Sequence, residues 1–187
     1  MKYRFYILLC LTFMCALNLQ SQGLLTEKNN FSRQDTLRGS ITPERIWWDL
    51  TYYHLEVTVD PDKKYISGKN TIKYTVLNVY QTMQIDLQTP LNMTKVTQDG
   101  KELEIIHEGN AHFIKLTKEQ VLGNTESIVV HYEGKPKEAV RAPWDGGFSW
   151  KKDKNGNHFV ATSCQGLGAS VWWPCKDHMY DEVESMR

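Results

Sequence analysis

Period-two alternation between Tyr53 and Val76 constrains this chain more than any other feature. Tyr53, Leu55, Val57 and Val59 fall on one side and His54, Glu56 and Thr58 on the other, the pattern of a strand with one face buried. Asp60, Pro61, Asp62 and Lys63 supply a turn. The next run sets Ile66, Gly68, Asn70, Ile72, Tyr74 and Val76 against Ser67, Lys69, Thr71, Lys73 and Thr75. Two such strands across a short turn form a hairpin.

The same grammar continues downstream. Met83, Ile85 and Leu87 precede Pro90, and a strand over Met93–Gln98 leads into Asp99-Gly100 and then Leu103 and Ile105 opposite Glu102 and Glu104. Asp-Gly is a strong hairpin signal, so a second hairpin is expected here. His112–Leu116, Ser127–Tyr132 and His158–Ser163 read as further short strands, the last following the turn Asp153-Lys154-Asn155-Gly156. No long apolar stripe of helical period occurs, and only Thr117–Leu122 suggests a helical turn. Seven or eight short strands at this spacing predict an all-β domain, an antiparallel sandwich or a large twisted sheet. There is no internal repeat.

The N-terminus carries a different signal. Lys2 and Arg4 precede an apolar run from Phe5 to Leu17, followed by polar and small residues from Asn18 to Gly23. This is the layout of a secretory signal peptide over residues 1–22, cut near Ser21 or Gln22. The run is shorter than the roughly 20 residues a spanning helix needs, so no stable membrane span is expected. Export to a periplasmic or secreted location follows. Cys10 and Cys15 follow Leu9 and Met14 and so lack the small neighbour of a lipid-attachment site; a lipoprotein is not expected. Residues 23–42 are polar and aperiodic and read as a flexible lead-in, with the β domain over residues 43–187.

Lys and Arg number 22 against 22 Asp and Glu. They are scattered, so no basic field for nucleic acid is present. Removing the leader leaves Cys164 and Cys175, too few for a disulfide scaffold. The two thiols either pair across a short loop or stay free, one of them as a small core residue.

Candidate chemical residues are few. His107-Glu108 followed by His112 is close to H-E-x-x-H, but the spacing is five and the segment reads as strand and turn, where helical geometry does not bring the side chains together. These read as surface histidines beside a turn. Cys164, Cys175 and His178 lack the fourth ligand of a structural zinc site. Ser163 and Ser170 lack the glycines of a nucleophile elbow. Trp144, Phe148, Trp150, Trp172 and Trp173 cluster among glycines and prolines as either a core plug or a pocket wall. Gln165 beside Gly166 either reads a ligand's amine or carbonyl or satisfies local backbone.

Gln165, Gly166, Ala169, Ser170, Trp173, Pro174, Cys175, Asp177, His178 and Met179 stand in a register that resembles the end of the N-terminal β domain of the aminopeptidase N family of zinc metallopeptidases. There the pattern runs from Gln or Glu and a small residue through Ala-Arg and an aromatic to Pro-Cys-x-Asp-Glu-Pro. Ser170 stands where the pattern has Arg, and His178 and Met179 stand where it has Glu-Pro. Tyr53-His54-Leu55-Glu56-Val57 and Ile66-Ser67-Gly68 resemble its opening strands, so the likeness runs from about residue 45 to 185.

The resemblance implies an antiparallel, saddle-like sheet that covers a catalytic domain. It also implies that Gln165 and Gly166 line the first substrate pocket, Gln165 holding the free amine of a peptide N-terminus. The family's zinc ligands, on a H-E-x-x-H helix with a later Glu, do not occur in this sequence. Zinc belongs to the intact enzyme, none is expected to be bound by this chain, and the missing catalytic domain is its implied partner. Alone it is expected to be inactive. The alternative is a non-catalytic secreted β-sandwich binding module that uses the Trp-rich surface.

Overall fold

The computed structural model describes residues 30–187. The expected signal peptide, with Cys10 and Cys15, lies outside the described residues. Arg33–Arg187 makes up one unit. Two short helices, α1 (Arg33–Gly39) and α2 (Pro43–Ile46), precede eleven strands. These are β1 (Trp48–Asp60), β2 (Tyr65–Val76), β3 (Thr82–Asp86), β4 (Asn92–Gln98), β5 (Lys101–Glu102) and β6 (Glu104–Glu108). They continue with β7 (Ala111–Lys115), β8 (Thr125–Gly134), β9 (Gly147–Lys152), β10 (His158–Ser163) and β11 (Ser185–Met186).

The domain is all-β, in three sheets. Six strands run in the order β11-β1-β2-β8-β4-β5, three in the order β3-β7-β6, and β9 pairs with β10 alone. All pairings are antiparallel except the short parallel contact of β11 with β1. Buried residues of the large sheet, among them Tyr53, Ile72, Tyr74, Ile128 and Val130, meet Met83, Ile85 and Ile114 of the three-stranded sheet in one apolar cluster. Such burial of half-apolar strands drives the two sheets together.

Both hairpins read from sequence form. β1 and β2 pair from Trp48↔Val76 to Asp60↔Tyr65. Asp99 and Gly100, at φ 50° and 77°, close the β4–β5 hairpin as a two-residue loop with both central φ values positive, the arrangement Asp-Gly favours. The strand after this turn is not continuous. β5 pairs with β4, whereas β6 crosses to pair with β7 in the other sheet. Strand β9 was not legible among its aromatic and glycine neighbours, and Thr117–Leu122 holds no helix.

Part of the expected lead-in is ordered: residues 33–39 form α1, within the same unit as the strands. Composition missed this because α1 buries a single apolar side chain, Leu37. Its C-terminal carbonyls are held from a distance instead. The Arg45 guanidinium, fully buried, donates to the carbonyls of Leu37 at 2.7 Å and Ser40 at 2.9 Å. Those are helix-end acceptors with no partner inside the helix.

Candidate functional site

Gln165 and Gly166 lie in the turn that follows β10. The N–H groups of Leu167 and Gly168 both donate to the Cys164 carbonyl, at 3.0 and 2.9 Å, which draws the chain into a tight loop. Gly166 and Gly168 adopt φ of 71° and 78°, a region that costs a side-chain-bearing residue energy. A Cβ on Gly166 would meet open space, but one on Gly168 would overlap the Asp177 carboxylate. Gln165 itself is exposed, with its backbone N–H directed at Ser163 Oγ.

Beneath the turn lies a polar floor assembled from distant segments. Arg38 of α1 donates to the Gly166 carbonyl at 2.6 Å. Gln88, just after β3, donates through Nε2 to the Leu167 carbonyl and to Ser170 Oγ. The Ser170 hydroxyl in turn donates to Asp177 Oδ2. The Asp177 N–H donates to Asp86 Oδ2 at 3.1 Å, and Arg45 donates to the same oxygen at 2.6 Å. Burial raises the Asp86 pKa, against the opposing pull of Arg45, Gln84 and the Asp177 N–H. A cavity of about 160 Å3 opens here, lined by Leu37, Arg38, Asp86, Gln88, Ser170 and Asp177 among others. Ser170, where the sequence pattern has Arg, is thus a buried link between Gln88 and Asp177.

The segment after the turn is anchored in the core. Asn70, on the apolar face of β2, donates through Nδ2 to the Pro174 carbonyl at 2.9 Å. Asp86 and Cys175 exchange backbone hydrogen bonds of 2.8 and 3.0 Å. Lys176 Nζ, buried, reaches the Trp48 carbonyl and Asp181, and sits 4.0 Å from the Trp48 ring centroid. Burial lowers the Lys176 pKa while Asp181 opposes the shift.

Of the five aromatic residues singled out in sequence, four pack inward. Phe148 is 3% and Trp173 7% exposed, and Trp150 and Trp172 pack against the same core. Trp173 meets Tyr53 edge-on at 4.8 Å, and Phe148 stacks on Trp150 at 5.1 Å. Trp144 stands apart at 81% exposure. The cluster is therefore mainly a core plug.

The remaining candidates sort as follows. Cys164 is exposed and Cys175 buried, and neither forms a disulfide. Burial pushes both thiols up, the opposite of an activated nucleophile. His178 Nε2 is bonded to the Gly39 carbonyl at 3.2 Å. Among the described residues no group of three His, Cys, Asp or Glu side chains could hold a metal ion, so the residues present do not fit a zinc site.

His107 and His112 depart from the expectation of separate surface histidines. The β6–β7 register sets them directly opposite each other, and their Nδ1 atoms lie 2.7 Å apart. His112 is 5% exposed, with Nε2 3.1 Å from the Leu87 carbonyl. A carbonyl only accepts, so Nε2 carries the proton, Nδ1 of the neutral ring is the acceptor, and His107 donates. Burial pushes His112 down to about 4.

Sequence reasoning singled out Gln165 and Gly166 but not the residues that hold their turn in place. Arg38 lies in α1, and Asp86 and Gln88 lie at and just after the end of β3, all far from the turn in sequence, and no local signal marks them. Asn70 was the one trace, a polar residue on an apolar face.

No protein-family model matches the sequence, and no curated protein is significantly similar to it. Solved structures do share the fold. The chain is 18% identical to an M1 zinc metallopeptidase from Deinococcus radiodurans, with TM-score 0.55, covering 74% of this chain and 31% of that one. A form of that enzyme bound to a Tyr-Ser-Ala substrate matches at 19% identity and TM-score 0.57, with the same coverage. Native leukotriene A4 hydrolase from Saccharomyces cerevisiae matches at 16% identity and TM-score 0.58, covering 81% of this chain and 24% of its own. The chain thus has a fold found in M1 zinc metallopeptidases and spans 24–31% of the length of these structures.

Proposed function

We propose that this chain is the N-terminal, substrate-lining β domain of an exported zinc aminopeptidase, an enzyme that removes N-terminal residues from peptides. The observation that carries the proposal is the Gln165–Gly166 turn: an exposed amide on a backbone fixed from below by Arg38 and Gln88, in a fold shared with M1 zinc metallopeptidases. A rigid loop presenting one uncommitted polar side chain suits recognition of a small polar group. Gln165 Oε1 accepts from the substrate's ammonium, and Nε2 donates to the adjacent carbonyl.

In this reading the chain's residues bind and orient the peptide. Zinc chemistry belongs to a catalytic domain that this chain would cover, and hydrolysis by the 187 residues alone is not expected. Export is supported by the signal-peptide layout of residues 1–22. The alternative of a Trp-rich binding surface is weakened by the inward packing of Phe148, Trp150, Trp172 and Trp173.

The test is kinetic, on the intact enzyme with aminoacyl p-nitroanilides. Gln165→Ala is expected to lower kcat/KM about 10- to 100-fold, as for loss of a hydrogen bond to a charged group. An unchanged kcat/KM would remove Gln165 from the substrate site and the proposal with it.

A further inference from the structure

The β9–β10 ribbon has one covered edge and one open edge. On the outer side of β9, Phe148 donates its N–H to the Lys137 carbonyl at 2.7 Å and accepts the Ala139 N–H at 2.9 Å. The Phe148 backbone therefore points away from β10. Thr162 is its partner in register and must point away from β9, because directly opposed residues of an antiparallel pair either both bond across it or both face outward. The turn end of the ribbon agrees. The Asp153 N–H donates to the Asn157 carbonyl at 2.9 Å, so the bonded pairs along the register are Lys151 with Phe159, Ser149 with Ala161 and Gly147 with Ser163. Val160 and Thr162 are left with N–H and C=O groups directed outward, and among the described residues only β9 pairs with β10.

This edge carries none of the usual protection. From Phe159 to Gln165 no residue is charged and none is Pro, and the pairing with β9 runs without a bulge. Such an edge is a template for another extended chain. Elsewhere the edges are short, charged or covered: β5 is only Lys101–Glu102, β6 carries Glu104 and Glu108, β1 is partly covered by β11, and β3 bridges to Cys175.

The open edge runs into the candidate site. Ser163 ends β10, and Gln165 follows two residues on, exposed. Strand direction then sets the polarity of whatever pairs here. A peptide antiparallel to β10 has its N-terminus at the Ser163 end, where Gln165 lies; a parallel one has it at the His158 end. With peptide residue 2 opposite Thr162, that residue exchanges main-chain bonds with Thr162 and residue 4 does so with Val160. Residue 1 is then level with Ser163, its amine at the start of the turn.

We infer that the outer edge of β10 is a binding site for the peptide main chain, which adds as an antiparallel strand with its free amine at Gln165. This rests on the reading of Gln165 as the contact for that amine. Main-chain pairing is indifferent to side chains, so the edge selects an extended chain of at least four residues rather than a particular sequence.

The test uses 1H–15N spectra of the full chain titrated with Ala-amide, tetra-alanine amide, its N-acetylated form and a form N-methylated at residue 2. The expected result is that tetra-alanine amide moves the Val160 and Thr162 backbone resonances together with the Gln165 side chain. It should bind about tenfold more tightly than Ala-amide, the gain from a few main-chain hydrogen bonds. Methylation removes the N–H given to the Thr162 carbonyl and should cancel that gain with the protein unaltered. Thr162→Pro should do the same from the other side, since the Thr162 N–H faces outward and an edge strand accepts Pro there. A methylated peptide that binds as tightly as its parent overturns the pairing. If Gln165 responds equally to Ala-amide and tetra-alanine amide while Val160 and Thr162 stay still, the inference fails and the reading of Gln165 stands. If the N-acetylated peptide moves Val160 and Thr162 as strongly as the free one, the polarity fails and the reading of Gln165 with it. If none of the three residues responds to any probe, both fail.

Discussion

Arg45 and Asp86 form a buried ion pair, with Nη2 2.6 Å from Oδ2 and the guanidinium wholly out of water. The pair ties α2 to β3. Because the same carboxylate oxygen also accepts the Asp177 N–H, it fixes the segment that carries the Gln165 turn as well. Removing one partner leaves a buried charge without compensation, so Asp86→Ala is expected to destabilise the domain by about 3–5 kcal/mol. Urea unfolding monitored by Trp fluorescence measures this, and a loss below about 1 kcal/mol would show that the pair does not organise the fold.

The buried imidazole predicts acid sensitivity. The His112 pKa is lowered from 6.5 in the unfolded chain to about 4, so between these values the unfolded state binds the extra proton. Stability contributed by the neutral ring is intact above pH 6.5 and is lost as pH falls toward 4, on the order of 3 kcal/mol in full. The difference in unfolding free energy between wild type and His112→Gln should shrink on acidification across that window. A His112 ring titrating near 6.5 by NMR would contradict the pairing with His107 and the Leu87 carbonyl.

The two glycines of the turn should respond differently. Gly166→Ala meets only backbone strain, about 1 kcal/mol. Gly168→Ala adds an overlap with Asp177 and should cost more, roughly 2–4 kcal/mol, as backbone strain and a broken buried bond combine. Equal melting temperatures for the two variants would speak against the turn described here.

Thiol reactivity should separate the two cysteines. Peptide mapping after brief iodoacetamide treatment of the folded chain is expected to find Cys164 alkylated and Cys175 protected at least about tenfold. Comparable labelling would mean that the Asp86–Cys175 bridge opens readily.

Legibility in the sequence followed the range of the interaction. Alternation and Asp99-Gly100 act over a few residues, so β1, β2 and the β4–β5 hairpin could be read directly. The His107–His112 contact was missed because helical spacing was the wrong ruler; hairpin register pairs residues five apart across Gly109-Asn110. Helix α1 was missed because its stabilising partner, Arg45, lies beyond it in sequence and looks like an ordinary surface cation. At the candidate site, Gln165 and Gly166 stood out through a register of specific residues, whereas Arg38, Gln88 and Asp86 are brought to them only by the packing of α1 and β3.

The central claim, that these residues line the substrate pocket of a zinc aminopeptidase, is tested most directly by sequencing the coding strand downstream of the Arg187 codon. The account predicts an open frame that encodes H-E-x-x-H and a later Glu, the ligand set a catalytic zinc requires. A stop codon directly after Arg187, or a continuing frame without that motif, would contradict it.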